Sequence, residues 1–151
     1  MRDRVLRVLL VLLALGNAQV GVWATFAPRS FYDDFPGGDR SWVALDGPYN
    51  EHLVRDFGAT NLAIGVLTIA ALVWLTRGLV VTAGLAWIAY GVPHLVYHLR
   101  HLDVYETGDQ VANVTTRSLA PLAGAVVVYL GAKMPGSARP AREPSGRAQP
   151  G

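Results

Sequence analysis

The sequence predicts an all-α protein, a bundle of four transmembrane helices. Hydrophobic residues make up 52% of the 151 residues and charged residues only 16%, below the ~25% that is usual for soluble domains. The apolar residues are gathered in four long runs instead of alternating with polar ones. Each run approaches the ~20 residues that an α-helix needs to cross a hydrocarbon layer of ~30 Å.

The four runs set the predicted organisation of the chain. We predict helices over residues 5–26, 49–76, 79–98 and 110–131, which together form a transmembrane domain over residues 1–132. Residues 133–151 lack apolar content and are predicted to be a disordered basic tail. The basic start and short apolar core of the first run are also typical of a secretory signal peptide. Because apolar residues resume over 20–27, we predict an uncleaved helix.

The second predicted helix has a start signal of its own. Asp46, Gly47 and Pro48 have the pattern of an Asp cap followed by proline in the first turn. The preceding loop, residues 27–47, is rich in Pro, Gly, Asp and aromatic residues, which predicts a structured loop instead of a flexible linker.

Basic residues predict the orientation. If four helices span, eight basic residues share one side, where only two acidic residues oppose them: Arg2, Arg4, Arg7, Arg77, Lys133, Arg139, Arg142 and Arg147. Five basic and nine acidic residues occupy the other side. Since cytoplasmic loops carry the excess of Lys and Arg, we predict a multi-pass plasma-membrane protein with both termini in the cytoplasm and the 28–56 loop outside.

Composition also excludes several functions. The chain has no cysteine, which excludes disulfides, thiolate catalysis and Cys-ligated clusters. The net charge of +2 is too small, and too divided between the two sides, to indicate a nucleic-acid partner. The expected partners are the lipid bilayer and either other membrane subunits or further copies of this chain.

Histidines mark the candidate site. His94, His98 and His101 recur at i, i+4 and i+7, so they share one face of the third predicted helix. Pro93 precedes them and frees the carbonyl of Ala89 from its helical hydrogen bond. Titratable groups along a stripe near a membrane surface are functional-site candidates.

The neighbouring helices add polar residues at the same level. If the second and third helices pack about a turn at Arg77–Gly78, equal distances from that turn lie level with each other. The candidate cluster is then His52, Asp56, Asn61, His94, His98 and Arg117, with His98 close to Asp56. An arginine two turns inside a helix must reach outward or find a carboxylate, and Asp56 and Glu106 are the expected partners of Arg117.

Three interpretations of this cluster remain open. The first is a polar cap that fixes the helices without a cofactor. The second is a metal site with His94, His98, His52 and Asp56 as ligands for zinc, copper or iron, or a b-type haem held by histidines. The third is a proton or small-molecule site. We interpret the protein as a non-enzymatic membrane component, either a subunit or a protein that binds an ion or small ligand; the alternative is a metal- or haem-dependent redox protein.

Two stretches carry a resemblance. The combination of PYNEHLVRD at 48–56 with PHLVYHLRHLD at 93–103 resembles small four-helix integral membrane proteins of high-GC Gram-positive bacteria. In outline the chain is also similar to the broad group of DoxX-like four-helix proteins. The resemblance covers residues 1–132 and implies a four-helix membrane fold, with no catalytic residues to carry over.

Overall fold

Helices account for most of residues 2–135. The structure, a computed structural model, describes residues 2–135; of the tail predicted over residues 133–151, residues 136–151 lie outside the described residues. The helices are α1 (Arg2–Phe26), α2 (Pro28–Asp34), α3 (Trp42–Leu45), α4 (Glu51–Trp74), α5 (Arg77–Leu99) and α6 (Thr107–Ala132), with a 3-10 helix at Leu102–Val104. Over residues 2–135 no β-strand forms, only an isolated bridge between Pro36 and Ser41. The all-α prediction is confirmed.

Four of these helices, α1, α4, α5 and α6, are long and apolar enough to cross a membrane. Their outward faces carry exposed aliphatic side chains such as Leu15, Val66, Val73 and Leu122. An apolar outward face is costly in water but suits contact with lipid tails. The prediction of four membrane-spanning helices is therefore confirmed as far as length and composition decide it.

The start of α4 differs from the predicted one. Asn50, not Asp46, is the N-cap, and its side-chain oxygen accepts a hydrogen bond from the Leu53 backbone N–H at 3.1 Å. Asp46 instead ends α3, and its carboxylate lies near His98. The helix begins at Glu51 because the amide of Asn50 supplies the acceptor that a free helix N-terminus needs.

The connection between α4 and α5 consists of Leu75 and Thr76 only. Leu75 adopts a left-handed conformation with φ of 45°, which ends α4. Thr76 then caps α5 by accepting a hydrogen bond from the Leu79 N–H at 3.4 Å. The turn thus lies two residues before the predicted Arg77–Gly78, and both of those residues belong to α5.

Close packing joins the helices in two pairs, α1 with α4 and α5 with α6. Glycines make this approach close: a Cβ added at Gly58 would lie 2.6 Å from the Thr25 backbone nitrogen, and one at Gly84 would lie 2.8 Å from the Gly124 carbonyl oxygen. Small residues that let helix backbones approach are typical of membrane helix interfaces. The contacts of α4 with α5 and of α1 with α6 are less extensive.

The two ends of the bundle have different interiors. At the end where α1 begins and α6 ends, which we call the termini end, the core is wholly aliphatic: Leu6, Leu10, Ala71, Val80, Ala83 and Val127. At the opposite end, which we call the loop end, α2 packs on α1, α3 and α4. Phe31, Val54 and Ala24 form a smaller buried cluster there. The polar candidate residues lie in this loop half.

Candidate functional site

A row of polar and aromatic side chains on α5 forms the part of the site nearer the loop end. Tyr90, His94 and His98 are four residues apart and so lie on one face of the helix. The His94 ring stacks on Tyr90 with centroids 5.5 Å apart and meets His98 edge-on at 4.7 Å. His98 is buried, and its Nδ1 lies 3.8 Å from a carboxylate oxygen of Asp46.

The row continues into the middle of the bundle. The side-chain amide of Asn61 on α4 donates a hydrogen bond to the Tyr90 hydroxyl at 3.2 Å. The side-chain amide of Asn17 on α1 donates a hydrogen bond to the backbone carbonyl of Asn61. We call the six connected residues the polar file: Asp46, His98, His94, Tyr90, Asn61 and Asn17. Below it, Trp87 donates to the Thr68 hydroxyl at 3.0 Å, and the aliphatic core follows. The polar file therefore enters from the loop end and stops inside the bundle.

Arg117 of α6 lies beside the polar file. Its guanidinium carbon is 5.8 Å from the centre of the Phe35 ring. Its Nε is buried without a hydrogen-bond partner, and no carboxylate of residues 2–135 forms an ion pair with it within 4.0 Å. Asp46 is the carboxylate whose charge acts on this guanidinium. The prediction that Asp56 or Glu106 pairs with Arg117 is wrong.

His52 and Asp56 lie apart from the site. They form a pair of their own on the outside of α4, with His52 Nε2 3.3 Å from the Asp56 carboxylate. The His52 side chain is 87% exposed and that of Asp56 is 61% exposed. The expected contact between His98 and Asp56 is wrong, because Asp46 occupies that place. His52 and Asp56 are four residues apart and so share one face of α4, but this spacing does not show whether that face points into the bundle or away from it.

The candidate metal ligands are consequently divided between two places. His94 and His98 adjoin each other within the bundle, whereas His52 and Asp56 pair outside it. Among residues 2–135 no group of three or more His, Asp or Glu side chains is placed to hold a metal ion. His94 and His98 share one helix, so they do not face each other across a haem as two axial ligands would.

Asp46 and Tyr105 connect the loop end to the polar file. Burial raises the pKa of the Asp46 carboxyl, an effect opposed by a hydrogen bond from Tyr105 and by the charges of His101 and Arg117. Burial, together with the charge of Asp46, raises the pKa of the Tyr105 phenol to about 12. The Tyr105 hydroxyl also lies 3.2 Å from the Trp42 carbonyl. Tyr105 therefore stays a protonated donor at neutral pH.

Two cavities meet at His94 and Arg117. The larger, about 790 Å³, extends between α1 and α6 from the loop end toward the middle of the bundle. The smaller, about 590 Å³, lies beneath α2 and α3. Both volumes fall in the ~300–1,000 Å³ range of small-molecule sites. Five side chains line both cavities: Phe35, Trp42, Phe57, His94 and Arg117.

Several buried nitrogens near this junction lack hydrogen-bond partners among the described residues. Within residues 2–135, Arg117 Nε, His94 Nε2 and His98 Nδ1 are buried without a hydrogen bond, as is the side-chain amide of Asn113. Each buried unsatisfied group costs ~1–3 kcal/mol, so such groups cluster where something else can satisfy them. The arrangement can bind a polar group of a ligand, which would lie next to the Arg117 guanidinium and the His94 imidazole.

Tyr90 and Asp46 belong to the site although the sequence pattern did not single them out as candidates. Tyr90 precedes His94 by four residues, so the same spacing that indicated the histidines could have identified it. Asp46 could not be identified in this way, because the fold of the loop brings it to His98.

Comparison with protein-family models, curated proteins and solved structures finds no match for this chain. The class of the protein therefore follows from its own architecture. Four apolar helices of spanning length fit a small polytopic membrane protein.

Proposed function

We propose that this protein is a non-enzymatic component of the plasma membrane that binds a small ligand in the cavity at Arg117 and His94. One observation carries the proposal: two cavities meet at a guanidinium and an imidazole, each with one buried nitrogen that has no hydrogen-bond partner in the described part of the chain. In a membrane interior an arginine without a partner is expensive, and such residues usually mark binding or transport paths.

Binding is better supported than passage through the membrane. The polar file ends at Asn17 and Asn61, and the aliphatic core around Leu10 and Val127 closes the bundle below it. The larger cavity reaches the surface between α1 and α6, where Leu12 and Leu119 line it and are 61% and 60% exposed. A cavity that opens between α1 and α6 and is closed toward the termini end can hold a ligand, but it gives the ligand no path across the membrane.

A redox role has less support. His94 and His98 supply two nitrogens, but the third His, Asp or Glu ligand that a protein metal site ordinarily needs is not placed with them among residues 2–135. The small-ligand interpretation uses the same two histidines and also accounts for Arg117.

Orientation is part of the proposal. With both termini in the cytoplasm, the loop end and its cavity lie in the outer half of the membrane. The excess of basic residues at the termini end supports this placement. A reporter enzyme that is active only in the cytoplasm should therefore be active when fused after Lys133 and inactive when inserted at Gly38. Activity of the Gly38 insertion, with loss of activity after Lys133, would reverse the orientation.

Retention of a small molecule tests the binding site. We expect native mass spectrometry of protein extracted in mild detergent to show a bound small molecule, and we expect the Gly16→Leu variant to lose it. Gly16 lines the larger cavity, and a Cβ there meets no atom within 4 Å, so a leucine side chain has room to start at this position and extends into the cavity. Binding should weaken by at least about tenfold, or ~1.4 kcal/mol.

Gly78→Leu is the matched control. A Cβ at Gly78 also meets nothing within 4 Å, but this glycine lies at the termini end, away from the cavities. The control should retain the ligand. A wild-type protein that carries no small molecule, or equal retention in the two variants, would contradict the proposed function.

A further inference from the structure

We infer that the ligand is a long-chain carboxylate, a fatty acid whose head group binds at Arg117 and whose chain lies in the larger cavity between α1 and α6. The inference rests on the proposed function and names its ligand class. The charge at Arg117, the lining of the cavity and the side on which the cavity opens all support it.

The charge at the site calls for a single anion. Arg117 is half-buried with its Nε fully buried, and its guanidinium lacks an ion pair within residues 2–135. Arg40 also lines the cavity but is already paired with Asp109 at 3.3 Å. A guanidinium binds a carboxylate through two parallel hydrogen bonds. A phosphate monoester would bring a second negative charge toward Asp46, and the described residues that line the cavity offer no second unpaired cation to balance it.

The lining of the cavity fits an alkyl chain. Below Arg117, α6 presents Ala120 and Ala123, and α1 presents Leu9, Leu13 and Gly16. These side chains are apolar and small or aliphatic, so this part of the lining offers hydrophobic contact. Asn17, Asn61 and Tyr90 also line the cavity, but they are hydrogen-bonded to one another. A volume of about 790 Å³ lies within the ~300–1,000 Å³ range for small ligands, which suits one chain and not a two-chain phospholipid.

The cavity opens toward the lipid bilayer, in which a fatty acid dissolves. Leu12 on α1 and Leu119 on α6 border the cavity, and both are exposed on helices of spanning length. An amphiphile in the bilayer already has its head near the surface and its chain among the lipids. It can move sideways between α1 and α6 without passing through water.

Tryptophan fluorescence can detect the chain directly. Trp87 is buried and lines the larger cavity, and it lies seven residues from His94, ~10 Å along a helix. A bromine atom in the middle of a stearate chain would come close to Trp87 when the carboxylate is at Arg117, and bromine quenches tryptophan at short range. The experiment uses the full chain in lipid nanodiscs, with Trp23, Trp42 and Trp74 replaced by phenylalanine. Because Trp42 lines both cavities, native mass spectrometry first compares retention of the brominated acid by this variant and by the wild type.

The matched control retains Trp74 alone. Trp74 is 66% exposed near the termini end, so it reports brominated stearate that is merely dissolved in the bilayer. We expect Trp87 to be quenched saturably and Trp74 to be quenched in simple proportion to the amount added. The methyl ester of the same acid, which has no charge, should need about tenfold higher concentration, as should the acid with the Arg117→Gln variant. The ester comparison uses unchanged Arg117, so it holds even if the variant fails to fold.

Three outcomes would overturn the inference. One is equal quenching by acid and ester, which means apolar partition only. Another is tighter binding of a mid-chain brominated alkyl phosphate, which makes the head group a phosphate. The third is quenching of Trp87 that rises in proportion to the amount of acid added, as the quenching of Trp74 does. If native mass spectrometry still shows a bound molecule of another class, the proposed function survives without this ligand class; if it shows none, both fail.

Discussion

Leucine in place of Gly84 will prevent α5 from packing on α6 and will sharply lower the stability of the bundle. A Cβ at this position would lie 2.8 Å from the Gly124 carbonyl oxygen and 2.9 Å from the Val128 backbone nitrogen. Both are backbone atoms of α6, so the clash can be relieved only if the helices separate. Overpacking of this kind costs ~1–3 kcal/mol and occasionally more, and the remaining leucine atoms add to it.

The measurement is the unfolding midpoint in detergent, followed by circular dichroism during heating. Gly78→Leu again serves as the control, since it makes the same change on the same helix where a Cβ meets nothing within 4 Å. Gly84→Leu should unfold at a markedly lower temperature or fail to accumulate, and Gly78→Leu should remain close to the wild type. Equal midpoints for the two variants would mean that α5 and α6 do not approach as closely as the structure shows.

Removal of the His94 side chain should affect both stability and binding, whereas removal of the His101 side chain should affect neither strongly. His94 contacts Tyr90, His98 and Phe57 with ring centroids 5.5, 4.7 and 6.0 Å apart. His101 is exposed and stacks on Tyr97, with its Nδ1 2.8 Å from the Tyr97 carbonyl oxygen. We expect His94→Ala to destabilise the protein by ~1–3 kcal/mol through lost ring contacts.

Three variants separate the two effects. His94→Ala should lower the unfolding midpoint and release the bound molecule, and His101→Ala should do neither. His94→Phe retains a ring against Tyr90 but has no nitrogen, so it should retain most of the stability and lose ligand affinity. If His94→Ala and His101→Ala are tolerated equally, the face of α5 that carries them is an ordinary polar helix end.

The long helices could be predicted because the signals for them are local. Run length and apolar content decide whether a segment can cross a hydrocarbon layer, and both can be seen in the sequence. The start of α4 could not be predicted in this way. Asp46-Gly47-Pro48 has the composition of a helix start, but Asn50 caps the helix and the Asp46 carboxylate lies near His98 instead. Competing side-chain partners cannot be weighed without the fold.

The candidate site could be predicted only in part, for a similar reason. Spacing along one helix identified His94 and His98, because i, i+4 residues share a face in any α-helix. Equal distance from the predicted turn selected His52 and Asp56, but the structure places them on the outside of α4, because depth along a helix does not show which face points inward. The carboxylate that lies near Arg117 depends on which elements pack against α6. Because α6 packs along α5 and the loop brings Asp46 close, Asp46 is the carboxylate whose charge acts on Arg117.

The pairing of α1 with α4 and of α5 with α6 divides the bundle into two hairpin-like halves, and the short Leu75–Thr76 connection joins them. The larger cavity lies at the seam between the halves. A change in its width therefore needs only a small rotation of one half against the other, with both glycine-packed interfaces left intact. The absence of cysteine from the sequence makes this seam accessible to engineering: a pair of thiols introduced in α1 and α6 would be the only ones in the chain, and cross-linking them would lock the cavity at a chosen width.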